Sequence, residues 1–529
     1  MRAHIGSKLV VLIAAALFAW SVQARELRLA IETEPAIDPH FLFATTNTAV
    51  SRHIFDAVTS RDEDLQPRPG LAESWRLIDP LTWEFKLRAG VTFHDGSPLT
   101  ADDVVFSIAR IGALPNNPNP YTPLTRSIDT AEAVEPLLLR IRTKFPDAIL
   151  PNQLAGVFVV SRNAARDAQP SDFRSGKAAI GTGPYRFAAW KPGDRLDLIR
   201  NEAYWGGAQP WERVSLRIIA NDAARTVSLR SNEIDVVGNL NPAHAETLAK
   251  DPAVRIFKRP SDRVVYLILD VARETTPMAT DRAGQVLAKN PLRDQRVRQA
   301  MSMAINRDAI AERVMDGFAL PAHQLVPAGI TGHAAALPKL PFDVQLARRL
   351  LAEAGYPDGF GLTLNGPNDR YLNDAKTLEA MGQMLSRIGL QVKIVSEPWN
   401  VYFPKARVTP NLEGLPYSAM LVGWGHSVGD TSGMLTTVLH SFDTQRRFGS
   451  GNRSGYNNAA FDQAIQDAVA EMEPAARSRK LEAVMATATH DLTTIPIYNN
   501  FVVMAARAGF AVTPRMDDEV LAMSVQPSR

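Results

Sequence analysis

The chain has no cysteine. That excludes disulfides, a thiolate nucleophile, cysteine-ligated zinc and an acylated cysteine that would anchor it to lipid. It also lacks two motifs of common hydrolases: HExxH and S-x-x-K with supporting motifs are absent. No phosphate loop of the GxxxxGK type surrounds Gly176-Lys177. Beyond the first residues no apolar run approaches membrane length. There is no low-complexity tract, no short-period repeat and no basic block that would mark a nucleic-acid or membrane surface. The formal charge of +2 is carried by two groups, Arg2 and Lys8, at the extreme N-terminus.

Those two charges precede an uncharged apolar run, Leu9 to Trp20, and then Val22-Gln23-Ala24. Charge, short apolar core and small residues in that order form a secretory leader, with cleavage expected after Ala24. The mature chain of 505 residues would then be almost neutral and is expected to diffuse in the periplasm without a lipid anchor. It is too long for one hydrophobic core and long enough for two or three lobes.

Hydrophobic periodicity gives a coarse map. Arg28 to Ile31 and Trp83 to Leu87 read as strands, Ala49 to Thr59 as a helix, and Leu137 to Ile141 and Phe158 to Val160 as further strands. Thr100-Ala101-Asp102-Asp103 opens a helix in which Asp103 reaches back to the cap. Val264 to Val271 is a buried strand. Helices follow at Val297 to Ile305, at Val344 to Ala354, and across Phe461 to Thr489 with a break at Pro474. Leu362 to Leu364, the helix Asp374 to Ile388 and Gln391 to Val395 form a βαβ unit, which implies parallel strands. Ser418 to Val422 is a third strand there.

Two blocks carry more than periodicity. LAESWRLIDPLTWEFKLRAGVTFHDGSPLTADDVVFSIARI spans Leu71 to Ile111, and GTGPYRFAAWKPGDRLDLIRNEAYWGG starts at Gly181. Together with PLRDQRVRQAMSMAINRDAI from Pro291, they resemble the peptide/nickel family (family 5, dipeptide/oligopeptide-binding-like) of ABC-transporter periplasmic solute-binding proteins. The resemblance implies an α/β, two-lobed periplasmic-binding-protein fold of type II, with an extra subdomain in the first lobe. Lobe I is expected at 25–264 plus 492–529, the extra subdomain at roughly 60–190, and lobe II at 265–491. The strand at Val264 would carry the chain into lobe II, and Ile495 to Tyr498 would bring it back. The glycines of the Gly181 block read as tight turns.

Open α/β sheets bind ligands beyond the carboxyl ends of their strands. Three such ends are legible: Gly366 to Tyr371, Ser396 to Trp399, and Gly423 to Asp430. They combine aromatic faces, glycines, an arginine and carboxylates, the mixture a polar-ligand pocket needs. The third, with Trp424, Gly425 and His426, resembles the family's ligand loop. In dipeptide-binding members an Asp a few places after the Trp pairs with the ligand ammonium; Ser427 stands there, and Asp430 holds the later acidic place. Either Asp430 takes the role or the ligand has no free ammonium. Arg370-Tyr371 resembles the family's carboxylate-binding Arg-Tyr, one register off, with Asp369 in the usual place; the alternative is a surface residue at a helix start. Core packing is the alternative for Trp399 and Trp424. From lobe I the family suggests Thr45, Thr46 and Asn47; helix capping before Ala49 is the alternative.

The expected function is a periplasmic receptor that captures a peptide-like or other small polar ligand and delivers it to the permease subunits of an ABC importer. It is expected to be a monomer, not an enzyme, with no catalytic residue, cofactor or nucleic-acid partner. A metal-chelate (nickel-type) receptor is the alternative. His426 without a second histidine nearby makes a poor metal site, since such sites need three or four protein ligands. A periplasmic hydrolase is the remaining class, and the missing HExxH and S-x-x-K motifs argue against it.

Overall fold

The computed structural model describes residues 25–528, apart from 407, 410 and 411. The leader at 1–24 lies outside the described residues. A twelve-stranded sheet runs through the molecule. Two long strands, Val254–Leu269 and Thr494–Arg507, pair antiparallel along most of their lengths and cross between the lobes. Sixteen residues at about 3.3 Å each reach about 50 Å, enough to serve both lobes.

The first of these strands changes character midway. Val254 to Pro260 is partly exposed, whereas Val264 to Leu269 is buried on both faces. Alternation then splits the buried part: Val265, Leu267 and Leu269 enter one core, and Val264, Tyr266 and Ile268 enter another on the opposite face. Between the halves the pairing slips, with a bulge between Pro260 and Val264. Pro260 has no N–H for the ladder, and bulges are where strands accommodate proline. The Asn499 side-chain amide bridges the gap, donating to the Ser261 carbonyl at 2.9 Å and the Arg263 carbonyl at 2.6 Å.

Lobe I has its own core, from Leu27 to Leu216, joined by Val502, Met504, Ala506 and Val525 from the C-terminal segment. It also carries a separate four-stranded sheet of Ala72–Asp79, Thr82–Leu87, Leu138–Thr143 and Ile128–Glu135. The helix Ala101–Ala113 opens as its sequence predicts: the Asp103 carboxylate accepts the Thr100 N–H at 3.0 Å and hydroxyl at 2.9 Å. In lobe II the βαβ unit forms with Gly361–Pro367 and Gln391–Glu397 parallel around Asp374–Ser386. Ala419–Gly425 lies parallel to Gly361–Pro367 and antiparallel to Val254–Leu269. The carboxyl ends of these three parallel strands therefore emerge at one edge.

Three local expectations are corrected. The helix expected at 49–59 is Thr45–Ile54, four residues earlier, because Phe55 turns extended where the Gly181–Pro184 turn packs on the helix end. Gly183 donates its N–H to the Ile54 carbonyl at 3.0 Å, and a side chain on Gly181 would collide with that same carbonyl. Residues 158–160 form no strand, only one bridge from Phe158 to Ala57, with Val160 bonded to the Ser107 hydroxyl. Val264 to Val271 is the second half of a strand that begins at Val254.

Candidate functional site

Beyond Gly425 the chain turns through His426 to Asp430 and faces the N-terminal end of the helix Thr45–Ile54 in lobe I. Between them lies a cavity of ≈ 780 Å³, walled by Phe43, Ala44, Thr45, Thr48 and Arg61 from lobe I and Trp424 to Val428 from lobe II. A second cavity of ≈ 790 Å³ adjoins it, and Ala44, Thr45, Arg263, Arg370 and Tyr371 line both. The lobes touch beside the cavity. Asn152 donates to the Val428 carbonyl at 2.9 Å, and Gln66 to the Gly329 carbonyl at 3.1 Å. Leu65, fully buried, inserts into a lobe II core.

The structure brings most of the predicted residues to this cleft. Thr45, Arg370, Tyr371, Trp424, Gly425, His426, Ser427 and Asp430 line the first cavity, and Thr46 lines the second. Four of the predicted residues, Asn47, Trp399, Asp430 and His426, are not free for a ligand. Asn47 points inward: its amide accepts the Ala36 N–H and donates to the Phe41 and Leu42 carbonyls, fixing the loop before its helix. Trp399 lines neither cavity. It stacks on Phe403 at 4.3 Å with Arg370 over its face at 5.3 Å, so it steadies the arginine from behind. Asp430 is buried and bidentate to Arg477 at 2.5 and 3.1 Å, and it also accepts the Ser432 N–H at 2.7 Å. Its lone pairs are occupied by internal donors, so the ammonium role suggested for Asp430 does not fit.

Tyr371 is held by its phenol oxygen, which accepts the Gly423 N–H at 2.8 Å. The His426 ring is buried and bonds the Leu325 carbonyl through Nε2 at 3.0 Å; burial pushes its pKa down to about 4, so it is neutral at pH 7. Among the described residues no three His, Cys, Asp or Glu side chains gather as a metal site.

Two sets of cleft residues escaped the sequence reading. The first is Arg515 to Glu519, which enters the cleft floor from the C-terminal segment. Asp517 pairs with Arg515 at 2.9 Å, and Glu519 with Arg52 at 2.5 Å. Arg61 lies half-buried near them; desolvation pushes its pKa down to about 10, and among the described residues its Nε and Nη1 have no partner. The second is the bulge itself. Arg263 lies 3.7 Å from Asp518. Asp262 is 3% exposed, lines the first cavity and lies against Gly425. Burial, reinforced by Asp518 and Asp517 and opposed by Arg263 and Arg61, pushes its pKa up to about 7. Burial likewise raises Asp518 to about 6. A polar triplet just before an apolar strand is the only sequence signal for the bulge, and the Asp-Asp-Glu run reads as a solvated turn.

Residues 66–446 match the model of the bacterial extracellular solute-binding proteins, family 5 Middle. The chain is 26% identical over 506 residues to heme-binding protein A of Haemophilus influenzae, covering 89% of this chain and 85% of that protein. It is also 26% identical over 503 residues to the glutathione-binding protein GsiB of Escherichia coli O1:K1 / APEC, covering 93% of each. Among solved structures, HbpA2 from Haemophilus parasuis superposes with a TM-score of 0.81 at 23% identity, over 95% of this chain and 100% of that one.

Proposed function

The chain belongs to the bacterial extracellular solute-binding proteins of family 5, receptors of ABC importers, and from that premise we propose that its solute is a short peptide or peptide-like zwitterion enclosed between the lobes. One observation carries this reading. The interlobe cavity has aromatic walls and separated charges of both signs, with Arg370 carried on the Trp399 and Tyr371 rings and carboxylates at the hinge. A guanidinium accepts a carboxylate through two parallel bonds. We take Thr45, Thr46, Arg370, Tyr371, Trp424, Gly425 and Ser427 as the contacts, with Trp399 as the support of Arg370. The glutathione-binding relative makes a γ-linked tripeptide the natural first probe.

The boundaries we adopt are lobe I at 25–264 plus 492–529, with its extra subdomain at roughly 60–190, and lobe II at 265–491; the separate cores and the added four-stranded sheet support them. A solute that touches both lobes only when they are together favours the closed arrangement over the open one. Micromolar affinity needs only about 8 kcal/mol net. We also read the protein as a non-catalytic, exported monomer. The buried histidines His40, His53, His426 and His440 each bond a backbone carbonyl, and among the described residues no histidine ring bonds a serine or threonine hydroxyl, the contact that would activate a nucleophile. The test is mass spectrometry of the small molecule that copurifies, followed by tryptophan-fluorescence titration with tri-alanine and glutathione. A copurified zwitterion and saturable quenching support the reading. A copurified sugar or metal chelate, with no response to either peptide, rejects it.

A further inference from the structure

We propose that Asp262, on the bulge of the lobe-crossing strand, is the group that pairs with the solute's ammonium, so that this receptor selects solutes with a free amine. The inference rests on the peptide-like reading above and says which end of the solute goes where.

The bulge fixes the carboxylate. Because pairing lapses between Pro260 and Val264, the backbone of Asp262 is released from the ladder and held by two other segments. Its N–H donates to the Met516 carbonyl at 2.9 Å, and its carbonyl accepts the His426 N–H at 3.1 Å. The first contact reaches the C-terminal segment on the floor of the cleft, and the second is the start of the lobe II ligand turn. Asn499 holds Ser261 and Arg263 on either side. Bulges commonly re-aim one side chain out of a sheet beside a binding site, and here that side chain faces the interlobe cavity.

Among the described residues the carboxylate has no internal partner. Five acids line this cavity: Asp147, Asp262, Asp430, Asp517 and Glu519. Asp147 accepts the Ile149 N–H, Asp430 is paired with Arg477, Asp517 with Arg515, and Glu519 with Arg52. Among the described residues Asp262 alone of the five receives neither a hydrogen bond nor an ion pair through its side chain, although it is 97% buried, being 3% exposed. A buried carboxylate in that condition either stays protonated or takes a cation from outside the chain. Glycine at 425 keeps the carboxylate's surroundings open: a Cβ there would stand 3.1 Å from Oδ2 and 3.3 Å from Oδ1. Arg370, on its aromatic platform, is left for the opposite end of the solute. The charged groups around Asp262 are Arg263 beside it, Asp517 and Asp518 from the C-terminal segment, and Arg61 from the strand Thr59–Arg61. An arriving ammonium adds the favourable charge that this set lacks, at a point held by segments on both sides of the cleft. Occupancy there is thereby tied to closure.

The test compares tri-alanine and glutathione with their N-acetylated forms, titrated calorimetrically at pH 7.5 into the wild-type protein and Asp262→Asn. Support is wild-type binding of at least one free-amine probe, at least tenfold weaker binding of its acetylated form, and a loss of at least tenfold in D262N for the free amine alone. Equal binding of the free amine by D262N, or equal binding of acetylated and free probes by the wild type, overturns the inference and leaves the peptide reading standing. No binding of any probe by the wild type rejects the peptide reading and this inference together. Should D262N not fold, the wild-type pH profile decides. Free-amine affinity rising about tenfold from pH 5.5 to 7.5, with a flat profile for the acetylated probe, is the expected result, and a flat profile for both refutes it.

Discussion

Replacing Asp262 by Asn is expected to stabilise the empty protein, and more so at higher pH. Asp262 is buried without a donor among the described residues, and burial raises its pKa to about 7 against 3.8 for a free aspartate. Each pK unit is worth about 1.36 kcal/mol, so the ionised form costs the folded state at most about 4 kcal/mol once the pH exceeds 7. The folded state holds a proton that the unfolded chain has released, so between about pH 4 and 7 this residue's contribution to stability falls as pH rises. Near pH 5 the same reckoning leaves about 1.5 kcal/mol. Asn keeps the shape and never ionises, so the difference between variant and wild type grows by about 2–3 kcal/mol from pH 5 to pH 8. The difference is the useful quantity. His40, His53, His94 and His426, each held near a pKa of about 4 by burial, give both proteins a slope of the opposite sign below pH 6.5, and that slope cancels. Urea unfolding followed by tryptophan fluorescence at the two pH values measures it. A variant less stable than wild type, or a difference that does not change between pH 5 and 8, refutes the assignment of Asp262 as an unpaired buried carboxylate.

Arg477→Leu leaves Asp430 buried without its partner and is expected to lower stability by about 3–5 kcal/mol; the Asp430→Asn/Arg477→Leu double variant recovers part of that in the same urea assay. Gly429 has φ +72, and a methyl group there would run into the Leu65 carbonyl across the cleft. Gly429→Ala therefore is expected to cost about 1–3 kcal/mol and to raise the radius of gyration measured by X-ray scattering; an unchanged radius contradicts the interlobe contact. Trp424→Phe is expected to remove most of the fluorescence response to solute, and Trp399→Phe to leave it nearly intact, because only Trp424 lines the cavity.

How far the sequence reaches can be judged residue by residue. The Trp424 loop was legible because a strand end in an open α/β sheet is a place for ligands whatever the strand's partners are. The state of Asp430 was not. Its partner Arg477 lies 47 residues on, in the helix Pro474–Asp491, and no local spacing announces that meeting. The crossing strand is legible only from Val264, since its first half, with Arg255, Lys258, Arg259 and Pro260, lacks the apolar run of a buried strand. That half is specified by pairing with residues about 250 positions later, such as Arg255 with Ala506. The bulge between the halves, and with it Asp262, follows from that pairing rather than from the local sequence. Asn47 and Thr46 sit side by side in sequence, yet only Thr46 reaches a cavity, because helical geometry turns the neighbouring side chain toward the loop of residues 36–42.

The absence of cysteine makes one measurement direct: single cysteines can be placed at exposed Glu132 in lobe I and Glu379 in lobe II and spin-labelled without competition. The distance between the labels is read by pulsed electron resonance in protein stripped of its copurified solute by unfolding and refolding, and again after that solute is restored. A narrower distribution centred at a different distance is expected once the solute is back. An identical distribution in the two samples, with the solute demonstrably bound, contradicts capture by lobe movement.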